Sequence, residues 1–272
     1  MVAPNNTMSM YRNLQWHSEL QQILTSPADE YALLREQRLL NKTNLQLPSD
    51  GTPLRLFDTV LPASTGRYAE LEVTFALPKE ATNFSVMTFA DPHGYNRSGY
   101  DGLENVILFT PPPTSLPPHK TYYEVTGGCL KCWHTGQGNG KPWLATDHLF
   151  PLRLLATDTN LTIHAFMDGG FAETYWMEGR AAQIMGTLND TEADWTGPSQ
   201  KSAMYVRATS ASSEPVVVLS AVAHAMGEIW VTPEQLLATP PPPARYDARA
   251  LKTDDLSVSV HASNPLRTLA AY

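Results

Sequence analysis

A two-residue alternation of apolar and polar side chains, clearest across residues 69–77, limits most strongly what this chain can fold into. In that segment Leu71, Val73 and Phe75 alternate with Glu70 and Glu72. This alternation places one face of a β-strand in a core and the other in water. The segment is therefore predicted to be a half-buried strand.

Shorter apolar runs follow along the chain, and each is bounded by Gly, Pro, Asn or Asp. They span residues 84–89, 106–109, 152–156, 161–166, 204–208 and 216–223. Parallel strands need crossover helices, and the chain shows no helical periodicity between these runs. The pattern predicts an all-β protein with two antiparallel sheets packed as a β-sandwich of the concanavalin or lectin type.

The two ends of the chain have a different character. Ser26, Pro27, Asp29 and Glu30 form a helix-start pattern, which predicts a short helix continuing to about Leu40. The run of four prolines at 240–243 excludes regular structure. We therefore expect a linker with a short helix at 1–45, a sandwich at 46–232 and a Pro-rich tail at 233–272 with one short edge strand at 256–260.

Composition excludes several classes of function. The net charge is −8, and the 19 Lys and Arg residues are scattered instead of forming a basic stripe, which argues against a nucleic-acid partner. No apolar run reaches the length of about 18 residues that a membrane helix needs, and no leader pattern opens the chain. We expect no membrane or cofactor partner, and we expect export, if it occurs, to depend on sequence upstream of Met1.

Six Asn-x-Ser/Thr triplets favour a secretory-route, extracellular glycoprotein, although such triplets also occur by chance. The candidate glycosylation sites are Asn5, Asn41, Asn83, Asn96, Asn160 and Asn189.

Two stretches resemble glycoside hydrolase family 32, the invertase and fructanase family. The first begins with an Arg-x-Leu turn and continues through Leu20 to a Pro-x-x-Glu-x-x-x-Leu-Arg segment ending at Arg35. It is similar to the family's link between propeller and sandwich, with Tyr11 in place of the usual proline. The second runs from Leu152-Arg153 through Asp158 and is similar to a strand pair of the family's sandwich.

The second stretch departs from the family pattern in three respects. Asn160 stands in place of a serine, His164 stands in place of a glutamate, and the spacing from Asp158 to Phe166 is one residue longer. A Gly-containing turn follows, as in the family. These departures do not change the expected fold. They argue against assigning the roles of the motif's Asp and Glu in the family to Asp158 and His164.

In the family, catalysis belongs to a five-bladed N-terminal propeller with Trp-Met-Asn-Asp-Pro-Asn-Gly, Arg-Asp-Pro and Glu-Cys motifs. None of these motifs occurs here, since the sole Asp-Pro follows Ala90 and neither cysteine follows a glutamate. Retaining hydrolysis needs two carboxyl groups about 5–5.5 Å apart. The resemblance therefore implies a C-terminal sandwich without catalytic residues, whose partner is the propeller.

Cys129 and Cys132 form a lone Cys-x-x-Cys pair. Its spacing from His119, His134 and His148 matches no common zinc site, so a local disulfide or two unpaired thiols is favoured over a metal or redox site. The glycines at 127–128 and 136–140 suggest a long flexible loop around an inserted hairpin.

Aromatic residues surround that loop. Trp133 and Trp143 are candidates for stacking on sugar, with Tyr122 and Tyr123 beside them, although aromatic residues more often pack in cores.

A strand-like segment contains Glu173 and Glu178. A catalytic pairing of Asp168 with either glutamate is conceivable, but solvated strand and turn carboxylates are favoured. His164 lies within an apolar strand and is expected to be a hydrogen-bonded packing residue.

These observations leave three functions open. The first is an interaction module that packs on a propeller and exposes an apolar patch on a sheet face. The second is a lectin-like carbohydrate-binding module. The third, an independent glycosidase, is the least favoured.

Overall fold

The computed structural model describes residues 10–59, 61–90, 102–117, 119–133, 145–169, 171–186, 202–210 and 215–227. At 63, 64, 131–133, 145–147 and 186 it describes the backbone alone. All of these residues belong to one compact unit, residues 1–229.

The described chain is almost entirely antiparallel β-structure, arranged as a sandwich of two layers. The strands of the first layer are β3 (Arg35–Leu47), β5 (Tyr68–Ala76), β10 (Asn160–Asp168), β11 (Phe171–Trp176), β12 (Ala181–Gly186) and β14 (Val216–Met226). Those of the second are β4 (Leu54–Arg55), β6 (Thr82–Ala90), β7 (Leu103–Phe109), β8 (Tyr122–Trp133), β9 (Ala145–Leu155) and β13 (Ala203–Ser210). The first layer has the order β3-β14-β5-β10-β11-β12, and the second has the order β9-β8-β7-β6-β13-β4. One residue pair, Gly186 with Trp133, joins β12 to β8 at the boundary between the layers.

Aromatic side chains from both layers meet in the core. Phe75 on β5 lies 4.9 Å from Phe84 on β6, between ring centroids. Trp176 on β11 packs edge-on against Phe150 on β9 at 5.1 Å, and its Nε1–H donates to the Val106 carbonyl on β7 at 3.0 Å. These contacts cross from one layer to the other, so the sheets pack face to face as predicted.

A small separate sheet and a helix precede the sandwich. Strands β1 (Arg12–His17) and β2 (Gln22–Pro27) form an antiparallel hairpin in which Trp16 lies opposite Ile23. A 3-10 helix (Asp29–Leu34) follows, and a one-turn helix α1 (Ala63–Gly66) precedes β5.

The short N-terminal helix exists, but it is a 3-10 helix that ends at Leu34 instead of continuing to about Leu40. Ser26 pairs with Asn13 inside the hairpin and caps no helix. The following residues form β3, which pairs with β14, so the sandwich includes residues that the sequence assigned to the linker. The polar run that opens β3 is exposed and shows no alternation that would have indicated a strand.

The strands predicted from alternation are present, and two further expectations were wrong. Gly127 and Gly128 lie inside β8 instead of in a flexible loop. Strands β9 and β10 do not pair with each other, because β9 pairs with β8 in the second layer and β10 pairs with β5 and β11 in the first. The predicted tail at 233–272 lies outside the described residues.

Candidate functional site

The N-terminal hairpin and 3-10 helix lie over the outer face of the first layer. On β10 and β11 the core-facing side chains alternate with outward-facing ones, yet the outward-facing Phe166, Glu173 and Tyr175 are also buried. Tyr31 of the 3-10 helix packs against Phe166 with 6.1 Å between ring centroids. The outer face is therefore covered by the segment that resembles the family's propeller link.

Glu173 is the centre of the first charged contact under this cover. Arg12 binds its carboxylate, with Nη2 2.6 Å and Nε 2.7 Å from Oε1. Tyr175 donates its hydroxyl to the same oxygen at 2.5 Å, and the Met10 backbone N–H donates to Oε2 at 3.0 Å. The Arg12 guanidinium also lies 5.7 Å from the Tyr175 ring centroid. The expectation that Glu173 is solvated was wrong, because its carboxylate is enclosed by the N-terminal segment.

Glu70 is the centre of a second charged contact. Arg35 donates to both of its oxygens at 2.5 Å, as a bidentate pair. His164 Nε2 lies 2.7 Å from Oε1, and His224 Nδ1 lies 3.6 Å from Oε2. His164 is therefore a hydrogen-bonded packing residue, as the sequence indicated. The cluster fastens the start of β3 to β5, β10 and β14.

The pKa values of this region follow from burial and from these charges. Burial acts to raise the pKa of Glu70, but hydrogen bonds from His164 and Arg35 outweigh it and lower that pKa to about 2. Burial lowers the pKa of His224, against an opposing contribution from Glu70. Burial and the bond to Glu173 raise the pKa of Tyr175.

The third buried carboxylate of the described residues, Glu104, has a similar environment in the second layer. It accepts hydrogen bonds from Arg207 and from Ser85, the latter at 2.8 Å. A general acid in a glycosidase needs a carboxyl group whose pKa is raised. Each buried carboxylate in the described part of the chain is instead paired with an arginine, and the pKa of Glu70 is lowered. Asp168 and Glu178, the other candidate acids, are exposed.

The turn of the hairpin is anchored to the sandwich by its backbone. Arg153 Nη1 donates to the carbonyls of Leu20 and Gln21, at 2.9 Å each, and the Leu20 side chain is fully buried. The Gln22 side chain of the hairpin donates to the backbone carbonyl of Arg180. The Arg180 side chain binds Asp158 in a bidentate pair, at 2.5 and 2.8 Å. Asp158, a residue of the second family-like stretch, thus holds Arg180 in place.

Gly179 permits a close approach between β2 and the sandwich. The Thr25 N–H donates to the Gly179 carbonyl at 2.7 Å. Gly179 has φ of +92°, and a Cβ there would lie 2.6 Å from the carbonyl carbon and oxygen of Thr25. Any larger residue at this position would push the hairpin away from the sheet.

The opposite face of the hairpin is apolar and open. Leu14, Trp16 and Ile23 are 70%, 63% and 56% exposed, and the register places them on one face. We call these three side chains the hairpin apolar surface. Tyr11 and Leu33, in the adjoining segments, are also strongly exposed. The sequence analysis expected an apolar patch on a sheet face of the sandwich, whereas this apolar surface belongs to the separate hairpin.

An open groove of about 630 Å³ lies on the second layer. Strands β7, β8 and β9 and the segment after β7 form its walls, and its lining combines apolar side chains with hydroxyl and carboxylate groups. The lining residues are Leu108, Thr110, Glu124, Val125, Thr126, Leu149, Phe150 and Pro151. Glu124 also pairs with Arg153 at 3.3 Å.

The structure describes only part of the residues nominated from sequence. Cys129 is buried on β8, but the side chains of Cys132 and Trp133 and all of Trp143 lie outside the described residues, so the disulfide and the sugar contacts stay predictions. Among the six glycosylation candidates, Asn41 and Asn83 are exposed on strands, Asn160 is half-buried at the start of β10, and Asn5, Asn96 and Asn189 are not described.

Within the described residues, no group of three or more His, Cys, Asp and Glu side chains is arranged to hold a metal ion. No helix in the described ranges has the length and apolar character needed to cross a membrane.

Sequence reasoning missed the residues that fasten the N-terminal segment. The sequence patterns place Arg12 and Arg35 in family-like motifs but indicate no partner for either, and no pattern singles out Trp16. Alternation did assign Glu70 to the outer face of β5. The cover over that face comes from segments distant in sequence, so local patterns carry no indication of it.

Comparison with solved structures identifies the same architecture in larger enzymes. Fructan 1-exohydrolase IIa from Cichorium intybus superposes with a TM-score of 0.58 at 12% identity, over 80% of this chain and 40% of that chain. A variant of that enzyme in complex with 1-kestose gives the same values. An exo-inulinase from Aspergillus awamori is also similar, with a TM-score of 0.49 at 12% identity over 81% of this chain and 35% of its own.

No model of a known protein family matches the chain. No curated protein sequence matches it either. At 12% identity the likeness to fructan 1-exohydrolase shows a shared fold, and the chain spans less than half of that enzyme's length. The described chain is thus a β-sandwich with the fold of one part of a fructan-degrading enzyme.

Proposed function

We propose that this chain is the non-catalytic C-terminal β-sandwich module of a glycoside hydrolase family 32 protein of β-fructofuranosidase type. In this role it stabilises or flanks a five-bladed catalytic propeller, carried on the same polypeptide or on a separate chain. The observation that carries the proposal is the likeness of 80% of this chain to only 40% of fructan 1-exohydrolase. The family-like stretches at the N-terminal hairpin and around Asp158 support it.

The chemistry of the buried carboxylates also supports a non-catalytic role. Glu70 and Glu173 bind arginines of the N-terminal segment, so their charge is used to fasten that segment. A carboxylate that is enclosed and ion-paired does not reach a glycosidic oxygen. We infer that hydrolysis requires residues of the propeller.

A turnover assay tests this proposal. The purified chain is incubated with sucrose, inulin and levan, and released fructose is measured against a protein-free control. We expect no release above that control. Turnover that a single carboxylate substitution abolishes, such as Glu173→Gln, would overturn the proposal.

The groove on the second layer favours one alternative, a lectin-like module that holds carbohydrate without cleaving it. Glu124 and Thr126 offer hydrogen-bonding groups beside the apolar Leu149 and Pro151, a combination that suits a sugar ring. Calorimetry with fructose, sucrose and inulin oligosaccharides separates the alternatives. The lectin-like function is favoured if sugar binds and Leu149→Ala weakens that binding. Leu219→Ala, at an exposed residue of β14, is the control and should leave the binding unchanged.

A further inference from the structure

We infer that the interior of the sandwich contains a hydration site, in which one or two water molecules bridge Asn105 of β7 to Thr174 of β11 and Gln183 of β12. The bound water joins the two layers of the sandwich through hydrogen bonds. This inference concerns the sandwich itself and does not depend on the function proposed above.

The first argument is the environment of the Asn105 side chain. Asn105 is fully buried, and it alternates on β7 with Leu103 and Ile107, which both belong to the core. Neither its Oδ1 nor its Nδ2 has a hydrogen-bond partner among the described residues. A carboxamide carries two donor hydrogens and an acceptor oxygen, and burying these groups unpaired is costly. Buried polar groups are ordinarily bonded to protein or to ordered water, so the amide is expected to bind water.

Two further polar atoms without partners lie in the facing layer. Thr174 is fully buried on β11, between the core residues Ala172 and Trp176. Its Oγ1 has no hydrogen-bond partner in the described part of the chain. Gln183 lies opposite Thr174 on β12, and its Oε1 is out of contact with solvent and has no described partner either. The two layers therefore both bring unused hydrogen-bonding groups into the core.

The strand register places these three side chains in one row of the sandwich. Asn105 lies opposite Cys129 on β8, and Cys129 lies opposite His148 on β9. The Gln183 Nε2 donates across the layers to the His148 carbonyl at 3.3 Å. Thr174, which is the neighbour of Gln183 on β11, therefore faces the row that contains Asn105.

The contacts of Trp176 support this alignment. Trp176 comes two residues after Thr174 on β11, and its ring packs against Phe150 of β9. Its Nε1–H donates to the carbonyl of Val106, the residue that follows Asn105 on β7. Strand β11 therefore faces the strands from β7 to β9, which brings the Thr174 hydroxyl towards the Asn105 amide.

The surroundings suit water better than an ion. Ala165 lies opposite Thr174 on β10, and Ala172 precedes Thr174 by two residues, so small side chains leave room between the layers. A buried ion needs opposite charges around it, and none of the described core-facing residues of this row is Asp, Glu, Lys or Arg. Buried water typically makes about three hydrogen bonds to polar groups of the protein, which the amide, the hydroxyl and the Gln183 oxygen supply.

A crystal structure of the full chain, at a resolution that shows ordered water, tests the inference directly. We expect at least one water oxygen within about 3.2 Å of an Asn105 amide atom and of Thr174 Oγ1 or Gln183 Oε1. Water that contacts Asn105 alone, an Asn105 amide bonded directly to protein groups, or a dry interior at this position would each overturn the inference.

Substitution of Asn105 tests the site in solution through the sign of its effect. Asn105→Leu replaces the amide with an apolar side chain of similar size. If water satisfies the amide, the variant loses those hydrogen bonds, and we expect the equilibrium constant for unfolding in urea to rise about fivefold or more. An unpaired amide gives the opposite sign, because its removal relieves the cost of burying it. A variant as stable as the wild type, or more stable, contradicts the inference.

A double-mutant cycle separates the loss of hydration from poor packing of the new leucine. Thr174→Val removes the hydroxyl and preserves the shape of the side chain. Because Asn105 and Thr174 share bound water, the combined effect of Asn105→Leu and Thr174→Val on the unfolding constant should differ about threefold or more from the product of their separate effects.

Thr162→Val is the matched control for this cycle. Thr162 lies on the outer face of β10, where its hydroxyl is 3.3 Å from that of Thr74. Its effect should multiply with that of Asn105→Leu, because the two side chains share no partner. Independent effects of Asn105→Leu and Thr174→Val, or equal coupling of Asn105→Leu to the control, would show that no shared water joins the layers.

Discussion

Buried carboxylates in this protein hold distant segments together. Glu70 and Glu173 both lie on the outer face of the first layer, and each binds an arginine from the N-terminal segment. A buried charge is costly unless it is paired and hydrogen-bonded, and here the pairing is made by residues that come much earlier in the chain. Each pair therefore stabilises the docked position of that segment.

The low pKa of Glu70 predicts a specific loss of stability in acid. The pKa falls from its ordinary value of 4.5 to about 2 on folding, so the stabilisation is complete above pH 4.5 and disappears as the pH falls towards 2. The difference corresponds to about 3 kcal/mol. We expect Glu70→Gln to be less stable than wild type at neutral pH and to lack this part of the pH dependence.

Urea unfolding in steps from pH 6 to pH 2 checks this prediction. Glu72→Gln serves as the control, because Glu72 is half-exposed on the same strand and lies 3.8 Å from His164. In the control, the free energy of unfolding should change with pH as it does in the wild type. If Glu70→Gln also kept the wild-type pH dependence, the Arg35–Glu70 pair would contribute nothing to stability.

The hydroxyl of Tyr175 gives a second prediction. It donates to the buried Glu173 carboxylate, and hydrogen bonds to charged groups are worth about 2 kcal/mol. Tyr175→Phe should lower the free energy of unfolding by about that amount. Tyr68→Phe, at a partly exposed tyrosine, should change it by less than about 0.5 kcal/mol. Equal effects of the two substitutions in urea unfolding would contradict the assignment.

The hairpin β1–β2 depends on the rest of the molecule for its position. An isolated two-stranded hairpin is marginally stable in water, so this one depends on its contacts with the sandwich. At Gly179 the hairpin and the sandwich approach so closely that a Cβ has no space. The position of the whole hairpin therefore depends on the glycine at 179.

We predict that Gly179→Ala releases the hairpin locally while the sandwich stays folded. Amides of β2 should exchange with deuterium at least tenfold faster, a difference of about 1.4 kcal/mol in local stability. Gly51→Ala is the control, since Gly51 also has a positive φ of +81° but lies against Thr209, outside the hairpin. Unchanged exchange in β2 would show that Gly179 does not position the hairpin.

A strand could be predicted from sequence where its own residues show which face is buried. It could not be predicted where its conformation depends on a strand distant in the chain. β5 follows directly from its alternation, because one face contacts the core and the other does not. β8 was missed because Gly127 and Gly128 resemble a loop. At Gly128, with φ of +141°, the His148 carbonyl on β9 would lie 2.1 Å from a Cβ, so the glycine permits close strand packing.

The candidate site was less predictable than the fold. Its contacts join residues far apart in the chain, such as Arg12 with Glu173 and Arg35 with Glu70. The spacing of apolar and polar residues along the chain does not indicate which distant residues pair. Trp16 shows a related difficulty, since a tryptophan is ordinarily expected to be buried, and its exposure becomes evident only in the folded structure.

At the scale of the whole molecule, the sandwich has its own core and an N-terminal element that presents an apolar surface outwards. The fold corresponds to less than half of fructan 1-exohydrolase. Under the function proposed above, the molecule acts as a module of a larger assembly whose catalytic residues lie elsewhere.

Purification of the tagged full-length protein from the cells that make it tests this claim most directly. Size-exclusion fractions are assayed for release of fructose from sucrose and inulin, alongside the recombinant 30.0 kDa chain. We predict that activity elutes with the tag at a mass well above 30.0 kDa, while the recombinant chain is inactive. A tagged protein that elutes at the mass of the single chain and hydrolyses these sugars by itself would contradict the claim.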